Sequence, residues 1–220
     1  MLHQSGALVK DVAAIIAREQ PDLFLMQEVT SEIDPLKSIG GGNYYRQDWP
    51  TKRHGLAVWS ASDLSPTSPL VLPSSKLPGS FPRRMAQLIK YDDVTIVNVH
   101  LSHGQALNRL QLRKIARATN GPTAIIGDYN ALGKVTLEGF CDVGPKGATH
   151  RAQRIMPFRL DRCMIRNMEC LGACKFNRGV SDHQPIYIEL AVRRDEQVDV
   201  AAPRDSHRNH KTERGFFWHC

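Results

Sequence analysis

The chain has 220 residues, of which 41% are hydrophobic and 23% are charged, and its formal net charge is +7. This length suits one α/β domain with a large core, and the composition is that of an ordinary globular protein. No apolar run approaches the roughly 18 residues of a membrane span, and no secretory signal begins the chain, so we expect a cytoplasmic protein. The positive charge favours polyanions such as nucleic acid, although a generally basic surface explains it equally well.

The first third of the chain predicts a helix followed by strands. Apolar residues at helical spacing predict a helix over residues 7–20, which Pro21 ends. Residues 22–29 form a nearly continuous apolar run, as in a strand buried on both faces, and residues 55–60 predict another strand. The Pro- and Ser-rich stretch 62–82 predicts irregular structure that borders a site.

The remainder predicts further strands around one more helix. Residues 85–89 and 94–101 predict a strand pair, and residues 123–127 a buried strand. Between them, residues 106–119 predict a helix with Leu107, Leu110 and Ile115 on its inner face. A section rich in loops reaches residue 157, and strands are expected at 159–165 and 186–192. We expect one domain over residues 1–192 and a disordered charged tail over 193–220.

Polar side chains follow the predicted strands at the points where they end. They are Glu28, His100, Asp128, Asn130, Asp161, Asp182 and His183. Strand ends in α/β folds converge on one rim, so we expect these groups to form one cluster. Carboxylate and amide oxygens suit Mg²⁺ or Mn²⁺, whereas a zinc site would contain more His or Cys. Taken singly, each is an ordinary strand-end charge, turn, helix cap or core histidine.

Their order and spacing resemble a known superfamily. The segments that carry the resemblance are 21–29, 97–101, 126–131, 159–162 and 181–185. This set resembles the endonuclease/exonuclease/phosphatase superfamily of deoxyribonuclease I-like and exonuclease III-like phosphoesterases, over about residues 9–192. The resemblance implies a four-layer α/β sandwich of two packed mixed sheets flanked by helices, and metal-dependent hydrolysis of phosphoesters.

The resemblance also implies a metal site with Mg²⁺ or Mn²⁺ as cofactor. Glu28 matches the principal metal ligand of the family, and Asp182 matches a second carboxylate of the metal site. Asp128 matches the residue that positions or activates the attacking water, and we also count it among the expected metal ligands. Asn130 matches a donor to the scissile phosphate. These residue types suit an anionic substrate, whose charge must be neutralised before attack.

Two histidines and an arginine complete the implied machinery. His183 matches the general acid/base or phosphate-polarising histidine, and Asp161 matches the carboxylate that orients it. A carboxylate partner raises the pKa of an imidazole, which keeps it cationic near neutral pH. His100 matches the second histidine of the deoxyribonuclease I branch. Arg84 matches a phosphate-contacting arginine, with Arg83 as the competing choice.

The beginning of the chain departs from the family pattern. Family members normally start with a strand that carries an Asn beside the metal, and here Met1 falls where that strand should be ending. We therefore expect the first strand to be missing from the interior of one sheet, which would leave a ladder edge unpaired. Either the start is placed too late, which we favour, or the protein is an impaired relative.

The substrate is less well defined than the chemistry. The excess of Arg and Lys, together with His100, favours a nuclease or phosphodiesterase that acts on nucleic acid. The alternatives are a phosphomonoesterase, a phospholipid or inositol-phosphate hydrolase, and a catalytically impaired module that binds phosphorylated ligands. No oligomeric state follows from the sequence.

Overall fold

The structure is a computed structural model. It describes residues 9–30, 39, 41–50, 54–65, 67–75, 83–152, 155–179 and 181–193, and the backbone of 214–219. The helices are α1 (Val9–Glu19) and α2 (Gln105–Ala118). The strands are β1 (Leu23–Thr30), β2 (Asn43–Asp48), β3 (His54–Ser60), β4 (Ser68–Val71), β5 (Met85–Tyr91), β6 (Val94–His100), β7 (Thr123–Asp128), β8 (Cys141–Asp142), β9 (His150–Ala152), β10 (Met156–Phe158), β11 (Asp161–Arg166), β12 (Met168–Lys175), β13 (Ile186–Val192) and β14 (Arg214–His219).

The strands form two six-stranded sheets and a small hairpin. The first sheet has the order β12-β13-β14-β1-β3-β2, and the second has the order β4-β5-β6-β7-β11-β8. Each contains one parallel pair, β1 with β14 and β6 with β7, among antiparallel neighbours. Strands β9 and β10 pair with each other as a hairpin. The fold is therefore mixed α/β with two mixed sheets, as the sequence predicts.

The two sheets pack face to face, and a helix covers the outer face of each. Between them lies an apolar cluster that includes Leu25, Val58, Ile96, Ile126 and Ile188. Helix α1 packs on the first sheet and α2 on the second, through the clusters Val12, Ile16, Phe24, Met26 and Leu112, Ile115, Val97, Ile125. Among the described residues, neither helix is long and apolar enough to cross a membrane.

A polar network joins the sheets next to the strand ends. The side-chain nitrogen of Gln27 donates to Asn98 Oδ1 at 2.6 Å. The amide nitrogen of Asn98 lies 3.1 Å from the Met26 carbonyl, 3.0 Å from the Ala57 carbonyl and 3.1 Å from Gln87 Oε1. Because Gln27 and Asn98 are fully buried, these bonds hold β1 of the first sheet against β6 of the second in one register.

Several sequence expectations need correction. Within the stretch 62–82, which was expected to be mostly irregular, residues 68–71 form β4, and Pro69 is tolerated there because β4 is an edge strand. On α2, Leu110 is 47% exposed, whereas Leu112 is buried beside Ile115. Strand β12 was not predicted, because its burial alternates without a continuous apolar run.

The last strand lies in the segment for which we expected a disordered tail. Residues Arg214–His219 form β14 in the interior of the first sheet. The expectation of disorder therefore does not hold for these six residues. The rest of the expected tail, 194–213 and residue 220, lies outside the described residues.

Candidate active site

Three neighbouring strands of the second sheet align polar residues side by side. The parallel pairing of β6 and β7 sets His100 opposite Asp128, and the antiparallel pairing of β7 and β11 sets Asp161 opposite Asp128. Gly127 permits this alignment, since its φ is +143° and an added Cβ would lie 2.0 Å from the Val99 carbonyl oxygen. The register therefore brings together three residues that the sequence grouped only by their strand ends.

Glu28 reaches the same cluster from the first sheet. It occupies a bulge, where the pairing of β1 with β3 shifts register between Gln27 and Val29, and its φ is +54°. Bulges of this kind re-aim a side chain and often lie next to active sites. A non-glycine residue in this left-handed region costs free energy, so the surrounding structure must hold it there.

His100 lies between two carboxylates. Its Nδ1 is 3.7 Å from Glu28 Oε1, and its Nε2 is 3.5 Å from Asp128 Oδ2. Burial, followed by the positive charge of Arg84, lowers the pKa of His100 well below its usual value. The imidazole is therefore neutral at physiological pH, and it separates the two acids without neutralising them.

His183 and Asp161 form a buried pair. The Nδ1 atom of His183 lies 2.9 and 3.0 Å from the two carboxylate oxygens of Asp161, and both side chains are at most 1% exposed. Burial alone would lower the pKa of His183, but the carboxylate of Asp161, and then that of Asp128, outweigh it and raise the pKa. This arrangement fixes the ring orientation and favours the cationic imidazolium.

Asp128 and Asn130 are joined by a tight turn. The backbone N–H of Asn130 donates to Asp128 Oδ1 at 2.7 Å, and the φ of Asn130 is +46°. The side-chain amide of Asn130 donates to the Leu101 carbonyl at 2.9 Å, which uses one of its two N–H groups. Burial raises the pKa of Asp128 to about 6, against the opposing charge of His183.

Arg84 brings a positive charge to the acids. It is 5% exposed, and its Nε and Nη1 atoms have no hydrogen-bond partner among the described residues. Its guanidinium carbon lies 4.1 Å from the centroid of the Trp49 ring, while Arg83 is exposed. Burial lowers the pKa of Arg84, and the charges of Glu28 and Asp128 oppose this effect. Of the two candidate arginines, Arg84 is thus the one in the cluster.

The cluster contains the donors that a divalent cation requires. Glu28 Oε2, Asp128 Oδ2 and Asp182 Oδ1 are buried without a hydrogen-bond partner in the described part of the chain. One ligand atom from each of Asp128, Asp161 and His183 lies within 4.8 Å of the others. Unpaired buried carboxylate oxygens are costly, and a hard cation such as Mg²⁺ or Mn²⁺ would compensate them. The residues present therefore fit a divalent metal.

The sequence interpretation missed His150. It lies on β9, in a section read only as rich in loops, and forms an antiparallel bridge with His183. The two imidazole rings are 4.2 Å apart, and His150 Nδ1 is 4.0 Å from Asp182 Oδ2. His150, Asp182 and His183 form a second group with ligand atoms within 4.8 Å. No periodicity or motif in the sequence marked this histidine.

The described part of the chain is a sandwich of two mixed sheets with buried carboxylates, histidines and an arginine at one rim, and these residue types suit a phosphoester substrate and a divalent cation. The sequence profile described as "Endonuclease/Exonuclease/phosphatase family" matches residues 4–183. The chain belongs to this family, whose members are phosphoester hydrolases that generally use divalent metals. None of the curated protein sequences matches the chain.

Solved structures of similar fold cover most of the chain. A humanized D. rerio TDP2 is 15% identical with a TM-score of 0.66, over 83% of this chain and 90% of that one. The catalytic domain of human nocturnin is 17% identical with a TM-score of 0.60, over 84% and 86% of the two chains. A mannosyl-6-phosphatase from Bacteroides thetaiotaomicron is 17% identical with a TM-score of 0.59, over 84% and 91%. At these identities the likeness establishes the fold alone.

Proposed function

We propose that this chain hydrolyses phosphoester bonds with Mg²⁺ or Mn²⁺, and that its substrate is a phosphodiester of nucleic acid. The observation that carries the proposal is the buried rim cluster, in which Glu28 and Asp128 flank His100, each has a carboxylate oxygen without a partner in the described part of the chain, and both act on the charge of the buried Arg84. Glu28, Asp182 and Asp128 would hold the cation. When bound, the cation supplies positive charge to the non-bridging oxygens of the phosphate.

His183 is proposed as the general acid/base or phosphate-polarising group. Its Nδ1 is engaged by Asp161, which fixes the orientation of the ring, and Nε2 is the proposed contact to the substrate. The raised pKa keeps the ring protonated near neutral pH, so it stabilises charge on the phosphate and donates a proton to the leaving oxygen. Removing such a group commonly lowers the rate by about 10²–10⁴-fold.

Asp128 is proposed to position the attacking water and accept its proton. This role requires the ionised carboxylate, which in the metal-free protein forms above its pKa of about 6. Neutral His100, at 3.5 Å, orients the carboxylate without supplying a competing charge. Arg84 is proposed to contact the phosphate with its free N–H groups, together with the remaining N–H of Asn130.

A cavity lined by residues that neighbour Asn130 and Asp161 in sequence, but by none of the site residues themselves, is a proposed contact for the part of a polynucleotide beyond the reacting phosphate. It has a volume of about 760 Å³, and its lining includes Leu132, Lys134, Lys146 and Phe158. Arg159 and Arg162 also line it and share the single negative charge of Asp142, so the arginines and the lysines together leave the cavity with net positive charge. Apolar and cationic surface together suit the bases and backbone of a polynucleotide.

The second candidate is a phosphomonoesterase. It is favoured by the structural similarity to the mannosyl-6-phosphatase from Bacteroides thetaiotaomicron. The two candidates differ in what they leave behind, since a nuclease breaks the polynucleotide chain whereas a phosphomonoesterase releases inorganic phosphate.

The test is plasmid nicking by the full chain with Mg²⁺ or Mn²⁺, beside phosphate release from small phosphomonoesters. We expect nicking that EDTA abolishes and that His183→Ala lowers by at least about 10²-fold. Arg117→Ala, at an exposed position of α2, is the control and should nick like the wild type. Nicking by His183→Ala at the wild-type rate would contradict the proposal. Phosphate release without nicking would favour the second candidate.

A further inference from the structure

Strand β14 is the link between the two halves of the first sheet. It pairs parallel with β1, from Leu23 opposite Phe216 to Met26 opposite His219. On its other side it pairs antiparallel with β13, from Ile186 opposite Trp218 to Leu190 opposite Arg214. In the described part of the chain β1 and β13 do not pair with each other, so the ladder between them runs entirely through β14.

Strand β14 supplies hydrogen-bond partners that the facing edges of β1 and β13 would otherwise lack. With β14 in place, all eight residues of β1 are buried, so the backbone N–H and C=O groups of β1 need partners within the sheet. Strand β3 already satisfies the other side of β1. Without β14, the backbone N–H and C=O groups on the facing edges of β1 and β13 would be left unpaired.

The sequence of the segment agrees with an interior strand. Residues 193–213 are mostly charged or small, and the aromatic run at 216–218 follows them. Aromatic residues favour strands, and a short apolar run is typical of a strand that is covered on both faces. Any further strand would have to displace β14 before it could pair with β1.

The three strands meet at the edge that carries the site. Because β14 is parallel to β1, its carboxyl end lies toward Glu28. Because it is antiparallel to β13, the same end lies beside Ile186, three residues after His183. Neighbouring strands are separated by about 4.8 Å, so one intervening strand sets β1 and β13 roughly 10 Å apart.

We propose that the segment Arg214–His219 is a positioning element of the active site: as an interior strand it fixes Glu28 relative to Asp182 and His183. The domain accordingly includes residues 214–219. The backbone pairing of β14 supports its placement by itself, whereas its effect on catalysis rests on the proposed function.

Hydrogen exchange of the full chain, measured by mass spectrometry, tests the placement. We expect the amides of 215–219 to be protected in the unmodified protein, together with those of β1 and β13. Phe217→Pro removes an N–H group from the interior of the sheet, and Phe217→Leu keeps it. The proline variant should lose roughly tenfold or more of the protection in β1, in β13 and in the peptides that contain Glu28 and Asp182. The leucine variant should keep it, and β6 and β7 should stay protected in both.

Unprotected exchange of 215–219 in the unmodified chain would overturn the placement, even if the proline variant does not fold. Protection there with no change around Glu28 and Asp182 in a folded Phe217→Pro protein would overturn the positioning role. Titration of Mn²⁺ followed by electron paramagnetic resonance provides the functional readout, with binding at least about tenfold weaker in the proline variant than in the leucine variant. An unmodified chain that shows protected strands but binds no Mn²⁺ would count against the proposed function only.

Discussion

Asp128→Asn is expected to stabilise the metal-free protein at alkaline pH. Burial raises the pKa of this carboxyl from 3.8 to about 6, against the opposing charge of His183. At about 1.36 kcal/mol per pKa unit, a shift of about 2 units disfavours the folded, ionised state by about 3 kcal/mol. Since the folded pKa lies above the unfolded one, the cost is absent below about pH 4 and complete above about pH 6. The asparagine amide does not ionise, so the variant avoids this cost.

Urea unfolding with EDTA at pH 4 and pH 8 measures the effect. The stability of Asp128→Asn relative to wild type should rise by up to about 3 kcal/mol from the lower pH to the higher. Asp93→Asn, in the exposed turn between β5 and β6, should show no such change. Adding Mn²⁺ at pH 8 should stabilise the wild type more than the Asp128 variant, because the variant lacks one proposed ligand. A relative stability that is equal at the two pH values would refute the reasoning.

Three further substitutions test other parts of the site. Asp161→Asn should lower the pKa of His183, which an NMR titration of the imidazole measures. Because the pKa of His183 is raised in the folded protein, the stability contributed by the His183–Asp161 pair is present below about pH 6.5. It is lost as the pH rises through the pKa of His183 in the folded state. Arg84→Met should lower nicking by about 10²–10³-fold with little change in thermal stability, and an unchanged rate would remove this residue from the phosphate site. Gly127→Ala should lower the free energy of unfolding by more than about 1 kcal/mol, whereas Gly41→Ala, with nothing within 4 Å of its added Cβ, should be close to neutral in the same urea titration.

The part of the site on continuous strands was predictable from sequence. Strands β1, β6 and β7 are mostly apolar runs with Glu28, His100 and Asp128, respectively, at or near their carboxyl ends. Both the strand and its polar end can therefore be recognised in the sequence. The convergence of parallel strand ends then predicts one cluster, and the structure brings these groups within 4 Å of His100. Their catalytic roles stay predictions, because geometry alone does not measure turnover.

Other features depend on partners that the sequence does not mark. His150 lies on a strand of three residues, too short for periodicity, and reaches the site only because β9 bridges to His183. Strand β14 follows a long polar stretch and is recognisable only from the pairing in the described part of the chain, where β1 and β13 each pair with it and not with each other. The buried face of α2 contains Asn108 and Leu112 but not Leu110, and the side-chain amide of Asn108 donates to the Asn130 carbonyl at 3.0 Å, a contact that apolar periodicity does not predict.

The stability and the activity of this rim both depend on the structure that holds its polar side chains in place. Its acids, its arginine and its left-handed Glu28 each cost folding free energy, so the surrounding structure must hold them. The hydrogen bonds of Asn98 supply this support in both sheets. In β1 Asn98 contacts Gln27, which directly precedes Glu28, and in β6 Asn98 itself lies two residues before His100. Asn98→Leu would therefore remove the acceptor that lies 2.6 Å from the side-chain nitrogen of Gln27. We expect this variant to bind Mn²⁺ more weakly and to be less stable. A substitution in the apolar core that lowers stability by the same amount should leave Mn²⁺ binding unchanged. Equal Mn²⁺ affinities in the two variants would mean that the network supports the fold without aligning the site.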